Sequence, residues 1–401
     1  MSTRVGRPPL THRLAEWATR ESTLLFAIGL WLALVQISIA ASQIVLTFVF
    51  LLWLFQWAMG RVELVRLPLD LPIGLFGAFS LAAAAFSFDP ASSLTSVKKL
   101  VLFVVPYLLV SSVRRVSTLE KLMLLLVAVA DLGALFSLWQ YYFGDMGDIN
   151  HRIRGFMSHY MTFSGLLMGV STLALSRLLF VGRPRTFLLA SLALLYSVLL
   201  LTLTRNAWLG VIAAATLLCF LRNWRFLVAL PLVIAAALAL VPSDVRSRVG
   251  SFIEPDRSGQ DRVFMLKSGL RMTASHPWFG VGPNMVPAVY PIYLVEGAPH
   301  QDNIHLHNNM AQIAAERGLP CLVAWLWLMF TGLRWSIKAY RSSATGTKRS
   351  LAAGALGVLV ATLAAGFFEY NFGDSEFLML VLFVMAIPFL LVQNRLGAQT
   401  S

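Results

Sequence analysis

Two histidines stand two residues apart in His305-Leu306-His307-Asn308-Asn309, directly before the helix-forming run Met310-Ala-Gln-Ile-Ala-Ala-Glu-Arg317. Asn308 or Asn309 can cap that run, Gly318 can end it, and Pro320 can open the apolar stretch that follows. His307 is then fixed at a helix N-terminus, where the positive end of the dipole disfavours imidazolium and keeps the ring neutral. A neutral, oriented imidazole is a general base suited to a hydroxyl. A metal reading competes with it. His300, Asp302, His305 and His307 crowd within eight residues, and an HxH pair with a carboxylate is a zinc donor set. That reading needs a strand-like backbone to turn both imidazoles the same way, and no second ligand cluster of similar spacing accompanies it.

Arg205 is the second chemical signal. In Leu201-Thr-Leu-Thr-Arg205-Asn206-Ala-Trp208-Leu-Gly210 it stands between two apolar runs. A cation at depth in a bilayer costs about 2.5–3.5 kcal/mol, so it calls for an anionic partner or a wet cavity. The plainer alternative is snorkelling to lipid headgroups. Arg152, Arg154, Arg262 and Arg271 add guanidinium groups whose fork geometry suits bidentate clamping of a pyrophosphate.

The elements that must carry these residues follow from composition. Of 401 residues, 58% are apolar and 13% charged, about half the charge of an ordinary soluble domain. Mean hydropathy is +0.72. A soluble enzyme is excluded. Apolar windows bounded by charge, Pro or Gly predict spans near 23–41, 43–59, 71–87, 99–113, 120–143, 159–177, 186–203, 205–222, 224–241, 319–334, 350–369 and 375–393. About twelve spans of about 20 residues absorb roughly 240 residues, which leaves no room for a large soluble domain. The predicted organisation is a membrane unit over 1–241, an extramembrane segment with short helices over 242–318, and a second membrane unit over 319–401.

The formal charge of +13 comes from 32 Lys+Arg against 19 Asp+Glu. In this setting it reads as positively charged cytoplasmic loops rather than a nucleic-acid surface. With both termini cytoplasmic, roughly two thirds of the cations fall on the cytoplasmic side, Arg61, Arg114, Arg222 and Arg334 among them. The same topology puts His151, His159, His276, His300, His305 and His307 on or beside the outer face, with only His12 inside. Arg4, Arg7, Arg13 and Arg20 precede an apolar run from Leu24 to Ala41, which is too long for a signal-peptide core and is followed at once by another.

In the outer segment, Asp261 can cap a helix from Arg262 to about Ala274 whose apolar stripe is Val263, Phe264, Leu266 and Leu270, leaving Arg262, Lys267 and Arg271 on the other face. An amphipathic helix lying on anionic headgroups is the bland alternative. His276-Pro277-Trp278-Phe279-Gly280-Val281-Gly282 then stops the helix with aromatic residues suited to a lipid interface. The turn at Ala41–Gln43 carries no acid, and no DxD-like pair at an outer span end is set up to hold Mg²⁺ on a diphosphate. Asp131 is the one clear intramembrane acid and reads as a buried hydrogen-bonded residue. Cys219 and Cys321 read as packing residues, with no zinc spacing or disulfide framework.

These residues resemble the bacterial O-antigen ligases of the O-antigen ligase and polymerase superfamily. That family carries a His-[Asn/Ser/Gln]-x9-Gly-x-x-[Gly/Thr/Tyr] motif in a long periplasmic loop. Here it reads His307-Asn308, nine residues, Gly318-Leu319-Pro320-Cys321, departing only at the last position. Arg205 before Trp208-Leu-Gly210 resembles the family's arginine after a Leu/Thr-rich span. Arg262, before an amphipathic helix and the Pro277-x-x-Gly280-x-Gly282 turn, resembles its periplasmic arginine. The motifs concentrate in 201–321.

The resemblance implies an all-α polytopic, GT-C-like glycosyltransferase of the Gram-negative inner membrane, acting at the periplasmic face in lipopolysaccharide assembly. It would move a glycan from undecaprenyl diphosphate to a sugar hydroxyl of lipid A-core, with inversion and without a metal or cofactor. His307, Arg205 and Arg262 would be catalytic; Arg152, Arg154, Arg271, His305 and Asn308 would bind substrate. An O-antigen polymerase using the same donor is the nearest alternative. A lipid or glycan transporter fits less well, because the charges sit at outer span ends rather than at the midplane.

Overall fold

The computed structural model describes residues 21–240, 242–250, 257–344 and 346–392. The basic N-terminal stretch from Arg4 to Arg20, with His12, lies outside the described residues, as does Arg395. Among the described residues the protein is all-helical, a polytopic membrane protein whose backbone polar groups are satisfied within helices, as a bilayer demands.

The helices follow the hydropathy pattern closely. They are α1 (Glu21–Leu34), α2 (Ile39–Ala58), α3 (Asp70–Ala85), α4 (Pro90–Ser112, with a 3-10 stretch over Val97–Val104), α5 (Val116–Phe143), α6 (Tyr160–Phe180), α7 (Arg185–Leu201), α8 (Arg205–Arg222) and α9 (Phe226–Leu240). Next come α10 (Ser243–Gly250), α11 (Arg257–Ser275), α12 (Val286–Val289), α13 (Asn309–Ser342), α14 (Gly346–Gly366) and α15 (Ser375–Val392). A helix overlies each predicted span. Eight are long and apolar enough to cross a membrane, whereas α1, α3 and α7 are shorter apolar helices. The predicted first span, 23–41, is cut short: α1 stops at Leu34, and Ser38 caps α2 by accepting from the Ala41 amide.

Burial divides the bundle into an inner and a lipid-facing set. Nearly all of α15 is buried, whereas α2 and α5 expose rows of large apolar side chains, including Ile44, Phe48, Leu132 and Trp139. α14 is the main packing partner of α6 and α8, and α13 packs on α3, α14 and α15. α8 and α14 touch closely because Gly210 has no side chain: a Cβ there would lie 2.2 Å from Met168 Sδ and 2.9 Å from the Ala361 carbonyl. Small residues at such crossings let backbones approach where lipid supplies no hydrophobic drive. Asp131 accepts from the Ser191 hydroxyl at 2.6 Å across α5 and α7, and Cys219 and Cys321 are buried and free.

The segment between α9 and α13 has its own small core of Met265, Met272, Val281, Met285, Val286, Val289, Tyr290 and Leu306, completed by Ala311 and Ala315 of α13. α11 begins at Arg257, a turn earlier than its expected cap at Asp261. Val263, Leu266 and Leu270 are exposed, while Asp261, Met265, Ser268 and Met272 are buried. The apolar stripe faces outward, and the packed face carries polar groups because part of it lines a cavity.

The first helical stretch of α13 ends at Gly318, as expected, and a second opens at Pro320, so that α13 is kinked there. Gly318 has φ +80° and ψ 169°, and a Cβ on it would lie 2.2 Å from the Trp278 carbonyl oxygen. The bend, with Pro320 behind it, frees the Ala315 and Glu316 carbonyls from their helical partners. The loop at 276–282 supplies replacements: Val281 N–H donates to Ala315 at 2.8 Å and Gly282 N–H to Glu316 at 3.0 Å, while Leu319 N–H donates to Pro277 at 2.8 Å. The backbone of the segment between α9 and α13 is thereby stitched into the bend of a bundle helix.

Candidate functional site

Two cavities meet at the end of the bundle that the charge pattern assigns to the outside. The first, about 170 Å³, is lined by Arg152, Arg205, Arg248 and Arg262, with Asp261, Tyr160 and His307. It gathers residues from the loop before α6, the start of α8, the end of α10 and α11.

Each arginine is held by local backbone. Arg205 is the first residue of α8 and is 7% exposed. The turn ahead of it depends on Leu203, whose φ of 54° lies in the left-handed region, costly for a non-glycine residue. Arg152 and Arg248 both donate to the Leu203 carbonyl, at 3.4 Å each, and the Arg152 guanidinium lies 4.4 Å from the Tyr160 ring centroid. Thr204, the N-cap of α8, makes no side-chain cap bond and lines the cavity with Arg205 and Asn206. Four guanidiniums therefore converge on the N-terminus of an 18-residue helix, whose dipole and first amides also favour an anion.

His307 closes this cavity. Its φ of 48° puts it in the left-handed region just before the Asn308 cap, which accepts from the Ala311 amide at 2.9 Å. That backbone turns the imidazole toward Glu369, in the loop between α14 and α15. Nδ1 lies 2.8 Å from Glu369 Oε2. An ionised carboxylate only accepts hydrogen bonds, so Nδ1 carries the proton, and in the neutral ring Nε2 keeps its lone pair. Glu369 is 4% exposed. Burial works to raise its carboxyl, and the hydrogen bond from His307, with the electrostatic pull of the neighbouring His305 ring and the Arg262 charge, outweighs it and holds the group below the ordinary glutamate value. The next turn is pinned as well: Asn309 donates to Asn371 at 2.7 Å and accepts from the Phe372 amide at 3.1 Å.

His305 stands against the same pair, its ring centroid 4.1 Å from that of His307 and its Nε2 3.6 Å from Glu369 Oε1. Burial, against the attraction of Glu369, takes its pKa down to about 4. It is neutral near pH 7, so its contact with Glu369 is dipolar rather than an ion pair. The ligand-capable atoms of His305, His307 and Glu369 lie within 4.8 Å of one another, which makes this trio the geometry that could take a metal ion. The competing set with His300 and Asp302 is not assembled, because His300 points to Asp261 at 3.1 Å.

The second cavity, about 340 Å³, lies on the other side of Glu369 and His305. Its wall includes Thr95, Lys98, Lys99, His159, Gln312 and Asp374, and Met161 lines both cavities. Burial first, then the nearby Glu369 charge, raises the Asp374 carboxyl to about 7. It accepts from the Thr162 hydroxyl at 3.0 Å.

Of the residues singled out from sequence, His307, Arg205, Arg262 and Arg152 line the first cavity and His305 the second. Arg154 donates to the Ser158 carbonyl and Arg271 to the Leu294 carbonyl, and neither lines the first cavity. Asn308 is committed to its cap and to the Phe367 carbonyl. Glu369 and Arg248 were not anticipated. The acid that ends the apolar run 350–369 on the outer side was the available signal for Glu369.

An anion-binding pocket beside an oriented imidazole–carboxylate pair can neutralise a leaving diphosphate while removing a proton from a hydroxyl. Residues 189–326 match the family described as O-antigen ligase. No curated protein matches the chain.

Proposed function

We propose, from the match of residues 189–326 to the O-antigen ligase family, that the chain is an O-antigen ligase, moving a glycan from undecaprenyl diphosphate to a sugar hydroxyl of lipid A-core at the periplasmic face of a Gram-negative inner membrane. The observation that carries this reading is the adjacency of the four-arginine, helix-N-terminal cavity to the His307–Glu369 pair.

His307 Nε2 takes the proton of the acceptor hydroxyl as its oxygen attacks the anomeric carbon. The bond from that carbon to the carrier phosphate breaks, and its electron pair leaves on the diphosphate. Arg205, Arg262, Arg152 and Arg248 hold the charge that develops there, with the α8 N-terminus behind them. Glu369 stabilises the imidazolium. Attack opposite the leaving group inverts the anomeric centre. The direct His307–Glu369 bond orients the base.

The test is transfer by purified protein in detergent, supplied with the carrier-linked glycan, lipid A-core and EDTA. Lipid A-core product without a gradient and without divalent ions is expected. Lengthened carrier-linked glycan in its place would assign a polymerase. Activity lost in EDTA and revived by a divalent ion would put a metal on the His305, His307 and Glu369 trio. Glycan moved only across a bilayer would assign a transporter.

Arg205→Lys keeps the charge and loses the fork. It is expected to lower kcat about tenfold or more, measured at saturating donor and acceptor. Near-normal turnover would reduce Arg205 to an anchor of the α8 start.

A further inference from the structure

At the opposite end of the bundle, which the charge pattern assigns to the cytoplasm, the helices part. α7 and α8 each pack on α6 far more than on one another, although the turn at Leu203 joins them. The gap between them is a cavity of about 410 Å³, lined by Leu178, Phe180, Arg185, Leu189, Arg222 and Phe226. Gly182, at φ +74°, closes α6 with its N–H on the Arg177 carbonyl at 3.1 Å. The chain turns there, so that Arg185 opens α7 near Arg222, the last residue of α8. A smaller cavity of about 130 Å³ shares Phe180 and Arg222 and adds Arg349. Among the described residues, no acid lines either one. Arg177 is ion-paired with Glu120, and Arg349 donates to the Ala344 carbonyl and the Tyr340 hydroxyl. Arg185 and Arg222 are exposed and have no such partner among the described residues. α7 also starts without a side-chain cap, so its first amides are open to an acceptor.

We propose that this cavity holds an anionic glycerophospholipid of the cytoplasmic leaflet, with its phosphate between Arg185 and Arg222 and an acyl chain along Leu178, Leu189 and Phe226. A free anion would satisfy the guanidiniums but leave the apolar wall uncovered. A zwitterionic lipid would cover the wall but bring an ammonium against two arginines. A lipid with net negative charge meets both demands, and basic pockets between helices on the cytoplasmic side are suited to such headgroups. Trp224, 62% exposed between Arg222 and Arg225, is the amphipathic ring that the headgroup level favours. α8 is the main packing partner of α9, so a chain against Phe226 gives the start of α9 a second contact. The 21-residue α6 sets this site roughly 30 Å from the four-arginine cavity, apart from the transfer chemistry.

The test is native mass spectrometry of the full-length protein in detergent, titrated with phosphatidylglycerol or with phosphatidylcholine of the same acyl chains. The first phosphatidylglycerol is expected to bind about tenfold or more tighter than the first phosphatidylcholine. Arg185→Gln and Arg222→Gln should each cut that preference, and together abolish it. Leu189→Trp, which fills the apolar part of the cavity, should weaken both lipids. Arg61→Gln, at an exposed position in the loop after α2 on the same side, should leave the preference intact. Arg185, Arg222 and Leu189 are all exposed, so each variant is expected to keep the wild-type melting temperature in lipid-free detergent. Equal affinity of the wild type for the two lipids overturns the proposal. So does a preference that Arg61→Gln lowers as much as Arg222→Gln, which would belong to the charge of the whole face. Displacement of phosphatidylglycerol by millimolar inorganic phosphate, with no effect of Leu189→Trp, would make this a free-anion site and overturns it as well.

Discussion

His307→Ala is expected to lower transfer about 10²–10⁴-fold while the protein inserts and keeps its thermal stability. The imidazole is partly exposed, at 20% of its side-chain surface, so its removal leaves little unfilled core. The fold around it is held by backbone and amide bonds from Asn308 and Asn309 rather than by the ring. The loss should fall on kcat, because His307 acts on the proton that leaves during attack, and donor affinity should stay with the arginines. Purified variant and wild type, compared at saturating donor and acceptor, give the answer. Full activity in the variant would move the base to His305, the adjacent imidazole, which is held neutral.

Glu369→Gln carries the second large effect, about 10²–10⁴-fold in kcat. The substitution keeps shape and hydrogen-bonding capacity but removes the charge that stabilises the imidazolium. It also loosens the tautomer. A carboxylate forces the proton onto Nδ1, whereas an amide can donate to Nδ1 and leave the proton on Nε2, where it blocks the lone pair that does the work. Glu369 therefore acts as a positioning residue, and imidazole ¹⁵N shifts of His307 read out that role directly. Glu369→Gln should change the tautomer signature and spare pyrophosphate affinity. An unaltered signature with near-normal kcat would leave Glu369 as a packing group only.

Local signals in the sequence were enough for some of this arrangement. The apolar windows located the helices, and a Ser, Thr, Asp or Asn beside an apolar run is a local cue, so Asn308 was readable as the cap that fixes His307. Arg205 was readable because charge beside two apolar runs needs a reason. Other features depend on contacts that no window contains. Glu369 meets His307 across 62 positions of sequence, and only the packing of α14 on α13 brings them together. The face that α11 packs is another such feature. Its stripe of Val263, Leu266 and Leu270 suggests a core face when the surroundings are water, yet those residues are exposed, and the face against the protein carries Asp261, Arg262 and Ser268 because it lines a polar cavity. Arg154 and Arg271 were grouped with the other arginines by sign and side alone, and their carbonyl partners take them elsewhere.

The stitching of the 276–282 loop into the bend at Gly318 imposes an order on assembly. The loop and α11 leave the ribosome before α13, so when they are first exposed, the carbonyls of Ala315 and Glu316 that accept from Val281 and Gly282 do not yet exist. The short core around Met265 and Met272 is in the same position, since Ala311 and Ala315 complete it. Arg262 thus reaches its place only after α13 has inserted and bent. The nascent chain cannot form the four-arginine cavity early, and the site becomes competent only once the last quarter of the polypeptide is in the membrane.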